Sequence, residues 1–165
     1  MNSYLTTPEG KERLEKELRR LKEDERLKII QDIEEARAHG DISENSEYED
    51  AKERQAMCEG RIQDIEAKLS MVQVIDVTTL PGQDLDPDDE EKVVVFGATV
   101  VVEDEDENTL TYRIVGTDES DVSEGKISYQ TPVAKALLGK APGSEVEVVL
   151  PSRRKIYEII EVHYK

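Results

Sequence analysis

The 165 residues are enough for one ordinary domain or two small ones. Their 39 acidic against 22 basic side chains leave a formal charge of −17, which excludes free nucleic acid as a direct partner. Phosphate binding needs Lys and Arg to displace counterions, so contact with DNA or RNA has to be local or guided by another protein. The single cysteine, Cys58, excludes an internal disulfide, MNSYLTTPEG lacks the n- and h-regions of a secretory signal, and no apolar run approaches a bilayer span. A soluble, cytoplasmic protein is expected.

Apolar residues make up 36% and charged residues 37%, with no Trp and one Phe, the lean core left when much of a chain is two-helix coiled coil. Thr7-Pro8-Glu9 has the signature of a helix start: a hydroxyl N-cap, proline at the first helical position, an acid in the first turn. Leu14, Leu18, Leu21, Ile29, Ile33 and Ala36 follow at three- and four-residue steps, apart from a gap filled by Glu25. This helix is predicted to run to about Ala38 and stop at Gly40. Beyond residue 47 the pattern is cleaner. Tyr48, Ala51, Gln55, Cys58, Ile62, Ile65, Leu69 and Val72 alternate steps of three and four, the heptad seam of a coiled coil. Two such helices on a short turn must lie antiparallel, because each needs the other to cover its apolar stripe. At ~30 residues per arm and ~1.5 Å per residue the hairpin would be ~45 Å long. The mixed charges of residues 11–28 read as a solvated face laced with ion pairs.

From residue 74 to 79 the pattern turns extended, and Pro81-Gly82 breaks the chain. Residues 83–91, QDLDPDDEE, read as an acidic disordered linker or loop. Strands are predicted over 98–103 and 109–115, flanking the polar turn 104–108, and over 145–150 and 155–164, around Pro151-Ser152. Thr131-Pro132 opens a short helix, 133–138, closed by Gly139. The expected fold is α+β. Residues 1–76 form an antiparallel helical hairpin with its tip at 40–50, residues 77–92 an acidic linker or loop, and residues 93–165 a compact β-rich domain with one short helix.

The tip, GDISENSEYED, holds five carboxylates and no basic residue. Asp41 with Glu44 three residues later has the pattern of a capping box opening the second helix, and caps are far commoner than catalytic tips. Yet a cap needs one or two acids, and Glu47, Glu49 and Asp50 crowd the same stretch at a cost in repulsion that a cation would relieve. Mg²⁺ suits such ligands, since it takes hard oxygens, often one or two carboxylates completed by water and phosphate. Two carboxylates on a bare tip are a poor metal site alone and a good completing half for a site elsewhere. Arg37, Lys52 and Arg54 flank the tip; surface ion pairing is their default, and steering of an RNA phosphate the alternative. His39, at the end of the first helix, suits the helix dipole better than metal ligation, and Cys58 on the seam reads as a buried, inert thiol. The calcium-like spacings of Asp84, Asp86, Asp88 and of Asp104, Asp106, Asn108 lack the turn glycine and terminal glutamate of an EF-hand. No phosphate-binding glycine loop, zinc spacing or nucleophile elbow occurs.

EEARAHGDISENSEYEDAKERQ (residues 34–55) and CEGRIQDIEAKLSMVQVID (58–76) closely resemble the bacterial transcript cleavage factors of the GreA/GreB family, nearer to its GreA branch. VFGATV (95–100), YRIVG (112–116) and ISYQTPVAKALLGK (127–140) agree. The resemblance implies an N-terminal coiled coil and a C-terminal FKBP-like domain. It implies a factor, not itself an enzyme, that docks on RNA polymerase and reaches through the secondary channel to the 3′ end of backtracked RNA. Asp41 and Glu44 match the family's functional positions: they would help hold a second Mg²⁺ shared with the polymerase's own aspartates, with no metal held stably by the factor alone. Arg37 and Lys52 match positions associated with the extruded RNA, and Arg54 beside them is a further RNA-contact candidate. A monomer with no membrane and no sequence-specific DNA contact is expected. Two alternatives stay open: an inhibitory paralogue that fills the channel without cleavage, and an FKBP-like prolyl isomerase or chaperone. The latter would have to build its pocket from Phe96, Tyr112, Tyr129, Tyr157 and Tyr164.

Overall fold

The computed structural model describes residues 3–40 and 45–165. The chain divides into two compact units, Met1–Tyr4 with Lys11–Val72, and Leu5–Gly10 with Gln73–Lys165.

A short strand, β1 (Tyr4–Thr6), leads into α1 (Pro8–Arg20), whose first turn is capped as expected: the Thr7 hydroxyl accepts from the Gly10 N–H at 3.2 Å. Helix continues to Ala38, but not as one α-helix. Leu21–Glu25 form a π-helical turn in which the Arg26 N–H donates to the Leu21 carbonyl, five residues back, before α2 (Arg26–Ala38) resumes. The reason lies in the apolar spacing. Leu14 to Leu21 and Ile29 to Ala36 each span one heptad, whereas Leu21 to Ile29 is one residue too long. The wider turn absorbs that residue, so Leu21 and Ile29 are both buried on the same seam.

The opposing helix, α3 (Ser46–Ser70), presents Ala51, Cys58, Ile62 and Ile65 to Leu14, Leu21, Ile29 and Ile33. At ~1.5–3 kcal/mol per fully buried aliphatic side chain, this seam is the main stabilising term of the hairpin. Ion pairs run along its flanks: Arg26 grips Glu59 through two bonds of 2.8 Å, Arg61 grips Glu17 at 2.8 and 2.9 Å, and Lys22 meets Glu66 at 2.7 Å. These pairs are a third or more exposed, so each adds only ~0–1 kcal/mol while favouring this antiparallel register.

After α3, β2 (Val72–Val74) pairs with β1 in a two-stranded sheet, and Val77–Thr79 form a 3₁₀ turn that the Asp76 carboxylate caps at Thr78. Of the two alternatives for the acidic run 83–91, a disordered linker or a loop, the run takes the loop. It is a series of turns, with the Lys92 ammonium donating to the Leu85 carbonyl at 2.9 Å and the Pro87 carbonyl accepting from the Val162 N–H at 2.8 Å. Lys92 is 4% exposed and its ammonium lies 4.9 Å from the Tyr164 ring centroid. One buried lysine thus orders a stretch whose composition favours disorder.

The second unit is built on a five-stranded sheet of β3 (Thr99–Glu103), β4 (Thr109–Val115), β5 (Lys126–Ser128), β6 (Glu145–Val149) and β7 (Arg154–His163), in the order β5-β4-β3-β7-β6. Neighbours are antiparallel except β4 and β5, and the β3–β7 register slips between Val101 and Val102. Alternation places Val100, Val102, Val146, Val148 and Ile159 in the core, where Ala134 and Leu137 of a short helix, α4 (Pro132–Leu137), join them. The Thr131 hydroxyl caps α4 at the Ala134 N–H, 3.3 Å away, as the Thr-Pro pair predicts. The N-terminal segment of this unit is held by Glu119, which is 8% exposed: its carboxylate accepts from the Thr7 N–H at 3.1 Å, the Gly116 N–H at 3.0 Å and the hydroxyls of Thr6 and Thr7. Among the described residues, no helix is long and apolar enough to cross a membrane.

Candidate functional site

The hairpin tip is built by the end of α2 and the start of α3. At the α2 end, the His39 N–H donates to the Ala36 carbonyl at 3.3 Å, and Gly40 leaves the helix at φ +136°, a conformation open to glycine at little cost. At the α3 end, Asn45 is extended (φ −90°, ψ 102°), its Oδ1 accepts from the Tyr48 N–H at 3.1 Å, and its carbonyl accepts from the Glu49 N–H at 3.1 Å. Asn45 is therefore the N-cap. The capping box expected from Asp41 and Glu44 is not how this helix opens: it starts four residues later and draws its cap from Asn45. Asp41 and Glu44 themselves lie outside the described residues.

The sequence reading missed Asn45. The signal was present, since Asn45, an N-cap type, stands three residues before the first periodic residue, Tyr48, but Asp41 offered the same chemistry four residues earlier.

Around the tip most of the side chains pair across the two helices, and Lys52 pairs within α3. His39 Nδ1 lies 3.2 Å from Glu47 Oε2, and the Arg37 guanidinium stands 6.0 Å from the Tyr48 ring centroid, the outer limit of a cation–π contact. The Arg54 guanidinium donates to Asp32 at 3.0 Å, and the Lys52 ammonium donates to Gln55 at 3.0 Å, both on exposed surface. A cleft of about 320 Å³ opens here between Asp32, Glu35, Ala36, His39, Glu47, Asp50 and Arg54. Arg37 and Lys52 keep exposed heads beside the tip, while Arg54 is committed to an interhelical ion pair.

Among the described residues, no three His, Cys, Asp or Glu side chains converge as a metal site. The donor chemistry of the tip suits a hard divalent cation all the same: carboxylates predominate, and α3 takes its cap from an amide, which leaves acidic oxygens to other uses. Asp41 and Glu44 would supply two oxygen ligands, fewer than a Mg²⁺ octahedron needs, so the rest must come from a partner, water or phosphate.

Residues 4–74 match the family model described as the N-terminal domain of transcription elongation factors, and residues 89–164 match that of the C-terminal domain of transcription elongation factor GreA/GreB. This chain belongs to the GreA/GreB family. The transcription elongation factor GreA of Halorhodospira halophila is 46% identical over 166 residues, covering 100% of both chains, and that of Acinetobacter baumannii is 50% identical over 165 residues, covering 99% of both. Among solved structures, the transcription factor Gfh1 is 26% identical over 98% of each chain, with a TM-score of 0.45. As a member of the GreA/GreB family the protein is a transcription elongation factor, with a helical hairpin in its N-terminal half and a β-rich domain in its C-terminal half.

Proposed function

We propose that the protein binds RNA polymerase, passes its hairpin into the secondary channel and stimulates the polymerase's own cleavage of the RNA 3′ end in backtracked complexes. The observation that carries this reading is the cap of α3. With Asn45 closing the helix, its opening makes no demand on the two acids that match the family's functional positions. The β-rich unit docks at the channel rim. The packed seam of α1, α2 and α3 stiffens the arm, because bending it would expose Ile29, Ile62 and Ile65.

At the catalytic centre Asp41 and Glu44 would bind and orient: their oxygens would help the polymerase's aspartates hold the ion and would accept hydrogen bonds from the attacking water. Mg²⁺ held there supplies charge neutralisation at the scissile phosphate and activation of that water. Arg37 and Lys52 lie where cationic heads would steady the extruded RNA by its phosphates, and Arg54 does so only by giving up Asp32. On this reading the cleavage chemistry is the polymerase's, and the factor contributes part of the ligand set.

The β-rich unit gives no support to peptide isomerisation. Phe96, Tyr157 and Tyr164 are buried in its core, and a cleft of about 250 Å³ on its surface is lined by Glu103, Asp104, Glu105, Glu145 and Glu158, not by aromatic walls.

The test is a backtracked elongation complex incubated with the wild type, Asp41→Ala or Glu44→Ala. The wild type should shorten the RNA from its 3′ end, and each variant should cleave roughly 10²–10⁴-fold more slowly while still binding the polymerase. Normal cleavage by both variants would remove the tip from the mechanism, and a block to extension without shortening would identify an inhibitor.

A further inference from the structure

Helix α1 begins in one unit and continues into the other. Leu5–Gly10 group with the β-rich residues and Lys11 onward with the hairpin, so the first turn of α1 is held by something other than the helical seam. Leu5 packs against the β-rich core, the Thr6 carbonyl accepts from the Ile75 N–H at 3.0 Å, and Glu9 pairs with Arg113 at 3.3 Å. Gly116 passes so close that a side chain there would overlap the Leu5 carbonyl. At the centre stands buried Glu119, and the Thr7 hydroxyl beside it faces two ways. It donates to the Glu119 carboxylate and accepts from the Gly10 N–H at 3.2 Å, so one group both anchors the segment and caps the helix.

We propose that Glu119 is the latch of a strap: it makes Leu5–Gly10, and with them the first turn of α1, open and close with the β-rich unit and not with the hairpin helices. A helix start ordinarily frays with its own helix, because its first N–H groups have no intrahelical partners. Here the Gly10 N–H is satisfied by the hydroxyl that Glu119 orients, and the Thr7 N–H by Glu119 itself at 3.1 Å. The same carboxylate accepts from the Gly116 N–H at 3.0 Å, which ties the latch to the end of β4. Loosening the seam at Ile29 or Ile62 touches none of these bonds, whereas disordering the turn at Thr117–Glu119 breaks every one that ends on Glu119. Whatever binds and stabilises the β-rich unit then also slows opening at the start of α1. The latch does not depend on the cleavage-stimulating function proposed above.

Native-state hydrogen exchange of the full chain, followed amide by amide, tests this. The reporters are the N–H groups of Thr7, Gly10 and Gly116, with Val100 of the central strand β3 standing for the β-rich unit and Ile65 of α3 for the hairpin. Val148→Ala weakens the β-rich core and should speed Thr7, Gly10, Gly116 and Val100 by one common factor. Ile62→Val weakens the seam and should speed Ile65 while leaving Thr7 and Gly10 at the wild-type rate. Glu119→Ala should speed Thr7 and Gly10 at least ~10-fold more than Val100, the equilibrium weight of one bond to a charged group.

Faster exchange at Thr7 and Gly10 in Ile62→Val, in step with Ile65, would overturn the proposal, because the strap would then open with the hairpin. Unchanged rates at Thr7 and Gly10 in Val148→Ala, with Val100 accelerated, would overturn it as well. So would a Glu119→Ala chain in which Thr7 and Gly10 speed up no more than Val100, since Leu5 and Glu9 would then hold the segment without the latch. Val148→Ala and Ile62→Val decide which unit the strap follows even where Glu119→Ala fails to fold.

Discussion

Alanine at Gly10 should destabilise the protein although it favours helix. Gly10 is the third residue of α1, where alanine would ordinarily gain up to ~1 kcal/mol over glycine. Here an added Cβ would overlap the Thr6 hydroxyl and the Glu119 carboxylate. That carboxylate is not free to swing aside, because it accepts from the backbone N–H groups of Thr7 and Gly116 and from two threonine hydroxyls. Moving it breaks at least the two backbone bonds. At ~1.5–3 kcal/mol for each bond to a charged group, the loss is roughly 3–6 kcal/mol, which leaves a net cost of roughly 2–5 kcal/mol after the helix gain. For a unit of about 100 residues, each kcal/mol is worth about 4–8 °C, so its melting transition should fall by at least about 8 °C in scanning calorimetry of the full chain. The mechanism makes a second demand. In a Glu119→Ala background the same Gly10→Ala change should cost much less, giving strong non-additivity. A Gly10→Ala protein that melts at or above the wild type, or a strictly additive double variant, would refute the reasoning.

Deleting Glu23 restores heptad spacing between Leu21 and Ile29, so the π turn should become α-helix and the hairpin should melt no lower than the wild type by circular dichroism. Inserting one alanine after Glu23 should instead turn the Ile29 stripe about 100° off the seam and cost more than ~3 kcal/mol; equal damage from both changes would contradict the role given to the π turn. Asp104 is held below its ordinary 3.8 chiefly by the Asn108 N–H, opposed by slight desolvation, and Asp121 below the same value chiefly by the Ser123 hydroxyl. Both folded values lie below the unfolded ones, so these contributions are complete above about pH 4 and are lost as pH falls through the folded values. The β-rich unit should therefore lose melting temperature on acidification below about pH 4, less steeply in Asp104→Asn with Asp121→Asn, and superimposable pH profiles would count against these turns. At the tip, the Asp41→Ala and Glu44→Ala cleavage measurements complete the set.

Much of this architecture was written in spacing. The seam from Tyr48 to Leu69, the Thr7 and Thr131 caps, and β4 from Thr109 to Val115 all occur where periodicity and turn chemistry placed them. The single irregular step at Glu25 even marked the π turn, although a gap in a pattern does not say whether the helix will break, kink or widen. The capping reading weighed for Asp41 belongs to Asn45, because two good caps stand four residues apart and the pattern on one helix does not decide which of them starts it. The pairing of Asn45 with Ala36 makes that choice. The acidic stretch stayed open between linker and loop for a related reason, since composition counts charges and does not reveal that Lys92 will be buried against Tyr164.

By itself, then, the amino-acid order determined a two-helix hairpin with an acidic apex, a β-rich second half and a family resemblance that singles out Asp41 and Glu44. Such features depend on neighbours within a few residues, the range over which helix and strand periods repeat. Only the folded chain decided that Glu119 would close around Thr7, 112 residues away, that Arg26 would grip Glu59, and that Asn45 would bridge to Ala36. These contacts join groups that no local period relates, and around Glu119 burial leaves the donors and the carboxylate no water to turn to.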